Sequence, residues 1–259
     1  MTADAGKWTD LSTRLVSGTV LVVVGVTGIW IGGHVFHGLI ALVCGMMSRE
    51  LVRMLVPDRR GLALQLGAAA GGAVLLATYV PVFYAMPILA AGVLVGVGQV
   101  KHPRYFLFIS LVLLAGWGMA HVRDDLGVNW MIWLVMIVVI TDVAGYFAGR
   151  MIGGPKFWPS LSPKKTWAGT LAGWLASAAI GIGFGVGGHM MALLLASVFL
   201  SLASQMGDIA ESAMKRRAGV KDSSRLIPGH GGLLDRFDGM MGAALALLVL
   251  EVFFGFPWN

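Results

Sequence analysis

The chain has 259 residues, of which 57% are hydrophobic and only 12% charged, and its mean hydropathy is +0.81. A soluble domain carries roughly 25% charged residues, so this sequence has too little polar surface to cover a water-soluble globule. Its net charge of +6 comes from 19 Lys and Arg against 13 Asp and Glu, a bias that first of all orients membrane proteins and calls for no nucleic-acid partner.

Crossing about 30 Å of hydrocarbon takes about 20 apolar residues. Nine stretches qualify, at 14–31, 34–55, 62–80, 82–99, 105–120, 129–149, 168–186, 189–209 and 240–256. The expected fold is therefore all-α, a polytopic integral membrane protein of about nine transmembrane helices. No long linker or repeat interrupts it, and one membrane domain, 1–259, is expected. Within it, 1–128 reads as scaffold helices, and 129–259 carries most of the polar exceptions.

The first span lacks a small-residue cleavage pattern and reads as a retained helix. In the second, Cys44 stands alone, so no disulfide framework exists, and His34 with His37 is too incomplete a ligand set to suggest a metal. Gly-rich runs such as "LGAAAGGA" (66–73), and Gly145 with Gly149, put small residues four apart, a spacing that lets helices approach closely. Pro81 and Pro87 mark a turn or a kink around the fourth span. Tryptophans such as Trp30, Trp130, Trp158 and Trp258 fall near span ends and read as an interfacial belt.

Charge placement tests the count. If the connections alternate sides, 16 of the 19 basic residues share one side, leaving Lys7, Arg14 and Arg123 opposite, beside Asp4, Asp10, Asp124 and Asp125. The positive-inside rule makes the basic side cytoplasmic and puts both termini outside.

The polar exceptions fall late in the chain. The sixth span ends "ITDVAGYFAGRMIGG", with Asp142 in an apolar run one turn before Tyr146, and leads to "SLSPKKTWAGT", a loop bearing Ser162, Lys164, Lys165 and Thr166. "GFGVGG" (183–188) fits G-x-G-x-x-G but ends a span and follows no strand, so it is no dinucleotide site. Where the eighth span ends, "GDIAESAMK" puts Asp208, Glu211, Ser212 and Lys215 on one helical face. A carboxylate at membrane depth costs roughly 2.5–3.5 kcal/mol, so such a face looks into a hydrated or metal-filled cavity, or lies just beyond the membrane as a solvated helix end.

"PGHGGLLDRFD" then joins a Gly-rich turn around His230 to Asp235 and Asp238 at the mouth of the last span. Glycines admit a ligand close to the backbone, and turn amides can cradle phosphate oxygens. Carboxylates converging without cysteine favour a hard cation such as Mg²⁺. Lys215, Arg216, Lys221, Arg225 and Arg236 supply the charge a polyphosphate requires. Two sequence-distant loops thus bring cations, hydroxyls and acids to one membrane face, as joining a water-soluble anion to a lipid demands. Glu251, inside the last span, has no counterpart in this pattern.

The stretch Ser212-x-x-Lys215-Arg216-x-x-x-x-Lys221-Asp222-x-x-x-x-x-Pro228-x-His230-Gly231-Gly232-x-x-Asp235-Arg236-x-Asp238 resembles the signature of the phosphatidate cytidylyltransferases, the CDP-diacylglycerol synthases, of bacterial type. "SPKKTWAG", "GDIAES" and the Asp142–Tyr146 region resemble that family's other shared blocks, so the likeness is specific over about 140–240. It implies CTP and phosphatidic acid as substrates, CDP-diacylglycerol and pyrophosphate as products, and a Mg²⁺ requirement, with room for a second, monovalent cation such as K⁺. By the same resemblance Asp208 and Asp235 are the first metal ligands, followed by Asp238 and Asp142, and Lys215 and Lys221 stand with Asp208 and Asp235 in catalysis. Lys215, Arg216, Lys221 and Arg236 would neutralise phosphates. Ser162, Lys164, Lys165 and Thr166 would hold a phosphate or shape the interfacial entrance, with Ser212, Gly231 and Gly232 beside the substrate. His230 either donates to a phosphate or pins the turn. A homodimer in a bacterial inner membrane, with its active site on the cytoplasmic side, is the implied setting. The CDP-alcohol phosphotransferase pattern fails, because Asp238-Gly239 continues as Met-Met-Gly. A transporter of an anionic substrate is the alternative, which polar groups in two corresponding halves would favour.

Overall fold

The computed structural model describes residues 3–159, 161–186 and 188–256, with residues 3–11 and 163 described by their backbone alone. The side chains of Asp4, Lys7 and Asp10, counted in the charge balance, and Trp258 of the interfacial set lie outside the described residues. The helices in chain order are α1 (Ala3–Ile31), α2 (Gly33–Leu55), α3 (Arg60–Ala77), α4 (Val82–Val100), α5 (Pro103–His121), α6 (Val128–Met151), α7 (Trp167–Phe184), α8 (Met190–Arg217) and α9 (Leu234–Phe254). Among the described residues, nine helices are long and apolar enough to cross a membrane, and the protein is an integral membrane protein. A π-helical turn, Val122–Leu126, follows α5.

Local chemistry sets the ends of these helices. Pro103 opens α5, where its missing N–H costs nothing. Lys101 ends α4 in the left-handed region at φ 48°. The Thr166 side chain accepts from Gly169 N at 3.2 Å and caps α7.

Two details differ from the sequence expectation. The segment expected as a loop before α7 pairs into an antiparallel hairpin of β1 (Lys156–Trp158) and β2 (Ser162–Thr166), with Lys156 opposite Thr166 and Trp158 opposite Ser162. Pro163 is tolerated there because a two-stranded ribbon leaves one edge of each strand unpaired. The last helix begins at Leu234, ahead of its expected span, whereas the eighth runs on to Arg217 as the shared face of Asp208, Glu211, Ser212 and Lys215 requires, with an i,i+4 pair between Glu211 and Lys215.

The chain forms two compact units, with divisions inside α5 and α9. The first comprises Met1–Leu113 and Val220–Phe237, the second Leu114–Gly219 and Asp238–Asn259. In the first, α2 packs on α3 through glycine: a Cβ on Gly67 would lie 2.7 Å from Gly45 O, and one on Gly71 2.7 Å from Ala41 O. In the second, α6 meets α7 in the same way, a Cβ on Gly169 falling 2.5 Å from Gly145 O. Without a hydrophobic force between helices in lipid, such backbone approach maximises dispersion contact. The second unit also carries a buried polar seam. Thr141 Oγ1 bonds Ser177 Oγ at 2.9 Å and Ser201 Oγ at 2.7 Å, and Trp133 Nε1 donates to Ser197 Oγ. Glu251 is explained here as well: its Oε1 meets His121 Nε2 at 2.6 Å, while Nδ1 of the same ring pairs with Asp125 and Trp117 stacks on the ring.

Candidate active site

In the second unit, α6, α7, α8 and β2 enclose a cavity of about 450 Å³. Its floor is the glycine contact of α6 and α7, where Gly145, Gly149 and Gly169 leave room that side chains would fill. Asp142, Tyr146, Arg150, Lys164, Lys165 and Gln205 supply its polar lining. Lys165 is held from two directions, with Nζ 2.5 Å from Asp208 Oδ2 and donating to Gln205 O at 3.3 Å. Gln205 is itself fixed: its Oε1 accepts from Trp174 Nε1 at 3.1 Å, and its Nε2 donates to Thr170 O. The ammonium is thus held by α8, at the Gln205 backbone carbonyl and the Asp208 carboxylate, rather than waving from a loop.

The acids of this unit form a second feature. Asp208, Glu211 and Lys215 share a face of α8, and Lys215 Nζ lies 2.5 Å from Glu211 Oε2, on a carboxylate with no exposed surface. Asp238, in the first turn of α9, lies within electrostatic range of Asp208, Asp142 and Lys215. Gly207 makes the approach possible, since a Cβ there would fall 2.3 Å from Asp238 O. Asp208 and Asp142 repel Asp238 while Lys215 attracts it, and a divalent cation would relieve the repulsion. Among the described residues no three His, Cys, Asp or Glu side chains already converge as a metal cage. Mg²⁺ requires none, because it keeps several waters and binds through one or two carboxylates with substrate phosphates. The oxygen-only donors fit that ion.

The Gly-rich segment belongs to the first unit. Asp235 is buried, and its Oδ2 accepts from Ser223 N at 2.9 Å, Ser223 Oγ at 2.8 Å and Gly232 N at 2.8 Å. Glu50 of α2 lies fully buried beneath it. Glu50 accepts from Ser224 Oγ at 2.6 Å, Ser223 Oγ at 3.2 Å, Leu233 N at 3.1 Å and Leu234 N at 2.9 Å. A carboxylate on a distant helix thereby satisfies the orphan amides that open α9. The turn closes on itself, with Ile227 N donating to Gly231 O and both His230 N and Gly231 N donating to Ile227 O. Gly231 takes φ 83°, and a Cβ on Gly232 would sit 2.0 Å from Ser223 Oγ, so neither position admits a side chain. His230 Nδ1 lies 2.8 Å from Ser17 Oγ of α1, and Arg236 Nε donates to His230 O at 3.1 Å.

The structure therefore brings the candidate residues together in two groups. Asp142, Lys164, Lys165, Thr166, Asp208, Lys215 and Asp238 gather in the second unit, where Thr166 is a helix cap lining the cavity. His230, Gly231, Gly232, Asp235 and Arg236 gather in the first. Ser162 begins β2, Ser212 is half-buried on α8, and Arg216 and Lys221 are exposed. The amides of the turn are engaged within it, so the segment offers side-chain cations outward and pins His230 from α1. Glu50 and Gln205 were missed by sequence reasoning. For Glu50 the signal was an acid inside an apolar span; for Gln205 it was an amide three residues before Asp208 in the eighth.

The profile of the Cytidylyltransferase family matches residues 12–254. The chain is similar to the phosphatidate cytidylyltransferase of Brucella suis biovar 1 (strain 1330), at 42% identity over 162 residues, 59% of this chain and 55% of that protein. It is also similar to proteins of the same name from Helicobacter pylori (strain J99), at 41% over 152 residues covering 57% and 55%, and Staphylococcus epidermidis (strain ATCC 35984), at 44% over 130 residues covering 49% and 50%. The matches span about half the length of these curated relatives.

Proposed function

The chain belongs to the Cytidylyltransferase family, and from that premise we propose that it transfers the cytidylyl group of CTP to phosphatidic acid, giving CDP-diacylglycerol and pyrophosphate. The observation that carries the reading is the cavity in which a held ammonium, Lys165, stands against the acid of α8, Asp208, within a membrane-length bundle. Such a place suits a reaction between a polyphosphate and a lipid phosphate. The names of the curated relatives support the same substrates. Family membership favours the enzyme over the transporter alternative.

In the proposed reaction a phosphatidate oxygen attacks the α-phosphorus of CTP in line. A P–O bond forms as the bond to the β-phosphate oxygen breaks, and pyrophosphate departs with that electron pair. No protein nucleophile enters, so the side chains act by positioning and by neutralising charge. Lys165 and Lys215 are suited to the phosphates because Gln205 O, Asp208 and Glu211 fix both ammonium groups in advance. Asp208 and Asp238, with Asp142 in electrostatic range, would hold Mg²⁺, which when bound offsets charge on the transferring and leaving phosphates. Asp235, whose Oδ2 ties the Gly-rich turn, acts through the shape of that turn in this reading. The charge bias of the sequence supports a cytoplasmic active site in a bacterial inner membrane.

The test is formation of CDP-diacylglycerol from CTP and phosphatidic acid by the purified protein in detergent, with and without Mg²⁺, beside a folded Asp208→Asn variant. Product that requires Mg²⁺ and vanishes in the variant is expected. A well-folded wild type that forms none, across several metals and chain lengths, overturns the reading.

A further inference from the structure

The cavity has a cation that the reaction described above does not use. Arg150, in the last turn of α6, lines it and is exposed, and its one hydrogen bond among the described residues runs from Nη1 to Tyr146 Oη at 2.8 Å. Unlike Lys165 and Lys215, it has no carboxylate partner among the described residues. Because the phenol oxygen accepts from the guanidinium, the phenol's own hydrogen is left to donate. The pair therefore presents a planar N–H fork beside an O–H donor, with the exposed Lys164 lining the same cavity. A dianionic phosphomonoester fits such a set, since its three terminal oxygens can take the fork and a third donor together.

The residues beneath Arg150 tell which phosphate this is. Val139, Val143, Tyr146 and Arg150 stand at i, i+4, i+7 and i+11 and share one face of α6. Val139, Val143 and Tyr146 are large, apolar or aromatic, and exposed, and Asp142, at the cavity side of the track, is the one charged residue beside them. On a membrane-length helix an exposed apolar track contacts hydrocarbon. The track runs along the helix toward the guanidinium, and Tyr146 belongs to both track and cavity. A nucleotide has no use for such a face, whereas an acyl chain lies along it with its headgroup at the cationic end.

We infer that the Val139–Val143–Tyr146–Arg150 face is the binding track of the lipid substrate, and that the Arg150–Tyr146 pair clamps its phosphomonoester and selects it over phosphodiester lipids. The inference rests on the proposed reaction for the identity of the lipid and adds where the lipid is held. A phosphodiester carries one negative charge and two terminal oxygens, one of which must serve both fork and phenol, so the pair holds it more weakly.

The test measures binding rather than turnover. The full chain in detergent is titrated with dioctanoyl phosphatidate, with dioctanoyl phosphatidylglycerol and, separately, with CTP, for wild type, Arg150→Gln, Arg150→Lys and Tyr146→Phe. Arg150→Gln should weaken phosphatidate binding by about tenfold or more, the worth of a charge-assisted hydrogen bond, while CTP binding changes less than about twofold on the same scale. It should also erase the preference for phosphatidate over phosphatidylglycerol. Arg150→Lys should fall between the two, because an ammonium keeps the charge and loses the fork. Unchanged phosphatidate binding in Arg150→Gln, or weakened CTP binding in its place, overturns the inference. A wild type that binds phosphatidate through Arg150 yet forms no CDP-diacylglycerol refutes the reaction and leaves the site. One that forms product while Arg150→Gln binds phosphatidate normally refutes the site alone.

Discussion

Glu50 Oε2 accepts a hydrogen bond from Leu234 N at 2.9 Å across 184 positions of sequence, and so a side chain of the second helix caps the last one. The same carboxylate holds Leu233 N, Ser223 Oγ and Ser224 Oγ, which makes it the anchor of the Gly-rich segment.

Removing that anchor should cost more than an ordinary cap. Glu50→Ala leaves two backbone amides and the Ser224 hydroxyl without their acceptor, while Ser223 Oγ keeps Asp235, an expected loss of about 1–3 kcal/mol. Glu50→Gln keeps one acceptor oxygen and should lose less. Thermal unfolding in detergent reads both; a Glu50→Ala protein as stable as wild type would show that the cap carries no weight.

How far the sequence revealed this arrangement varies from residue to residue. Nine spans followed from hydropathy because hydrocarbon thickness fixes helix length. Asp142, Asp208 and Asp238 stood out because acids are costly among apolar residues. Glu50 met the same criterion and was passed over, since its partners lie in a segment more than 170 residues away and periodicity carries no information about them. The hairpin around Lys164 was hidden by Pro163, which argues against strand unless one knows the ribbon has only two strands. Glu251 made no sense alone because its partner, His121, sits at the end of a helix far away in sequence.

Lys165 and Asp208 should behave as one unit. Lys165→Ala and Asp208→Ala are each expected to lower CDP-diacylglycerol formation on the order of 10²-fold or more, the usual loss when a preorganised charge is removed. The double variant should be little worse than the weaker single one, because each change already frees the other partner from the geometry that made it useful. Steady-state rates of the three variants test this. Losses that multiply would mean that the 2.5 Å contact has no part in positioning the ammonium.

Asp235 separates shape from charge. Asp235→Ala deprives Ser223 N, Ser223 Oγ and Gly232 N of their common acceptor, whereas Asp235→Asn keeps an oxygen in the same place. Amide hydrogen exchange across 222–234 should therefore rise sharply in the first and modestly in the second. Equal exchange in both would mean that Oδ2 does not hold the turn.

The glycine contact of α6 and α7 can be tested against a control in the same chain. Gly169→Ala puts a methyl 2.5 Å from Gly145 O, in a place where backbone meets backbone and neither can move without parting the helices that floor the cavity. Overpacking of this kind costs typically 1–3 kcal/mol. At Gly72 of α3, a Cβ meets nothing within 4 Å, so Gly72→Ala should stabilise by up to about 1 kcal/mol through helix propensity alone. Opposite shifts in melting temperature are the expected result, accompanied by weaker substrate binding only in Gly169→Ala. If both variants move together, the α6–α7 approach is looser than its geometry implies and the cavity does not depend on it.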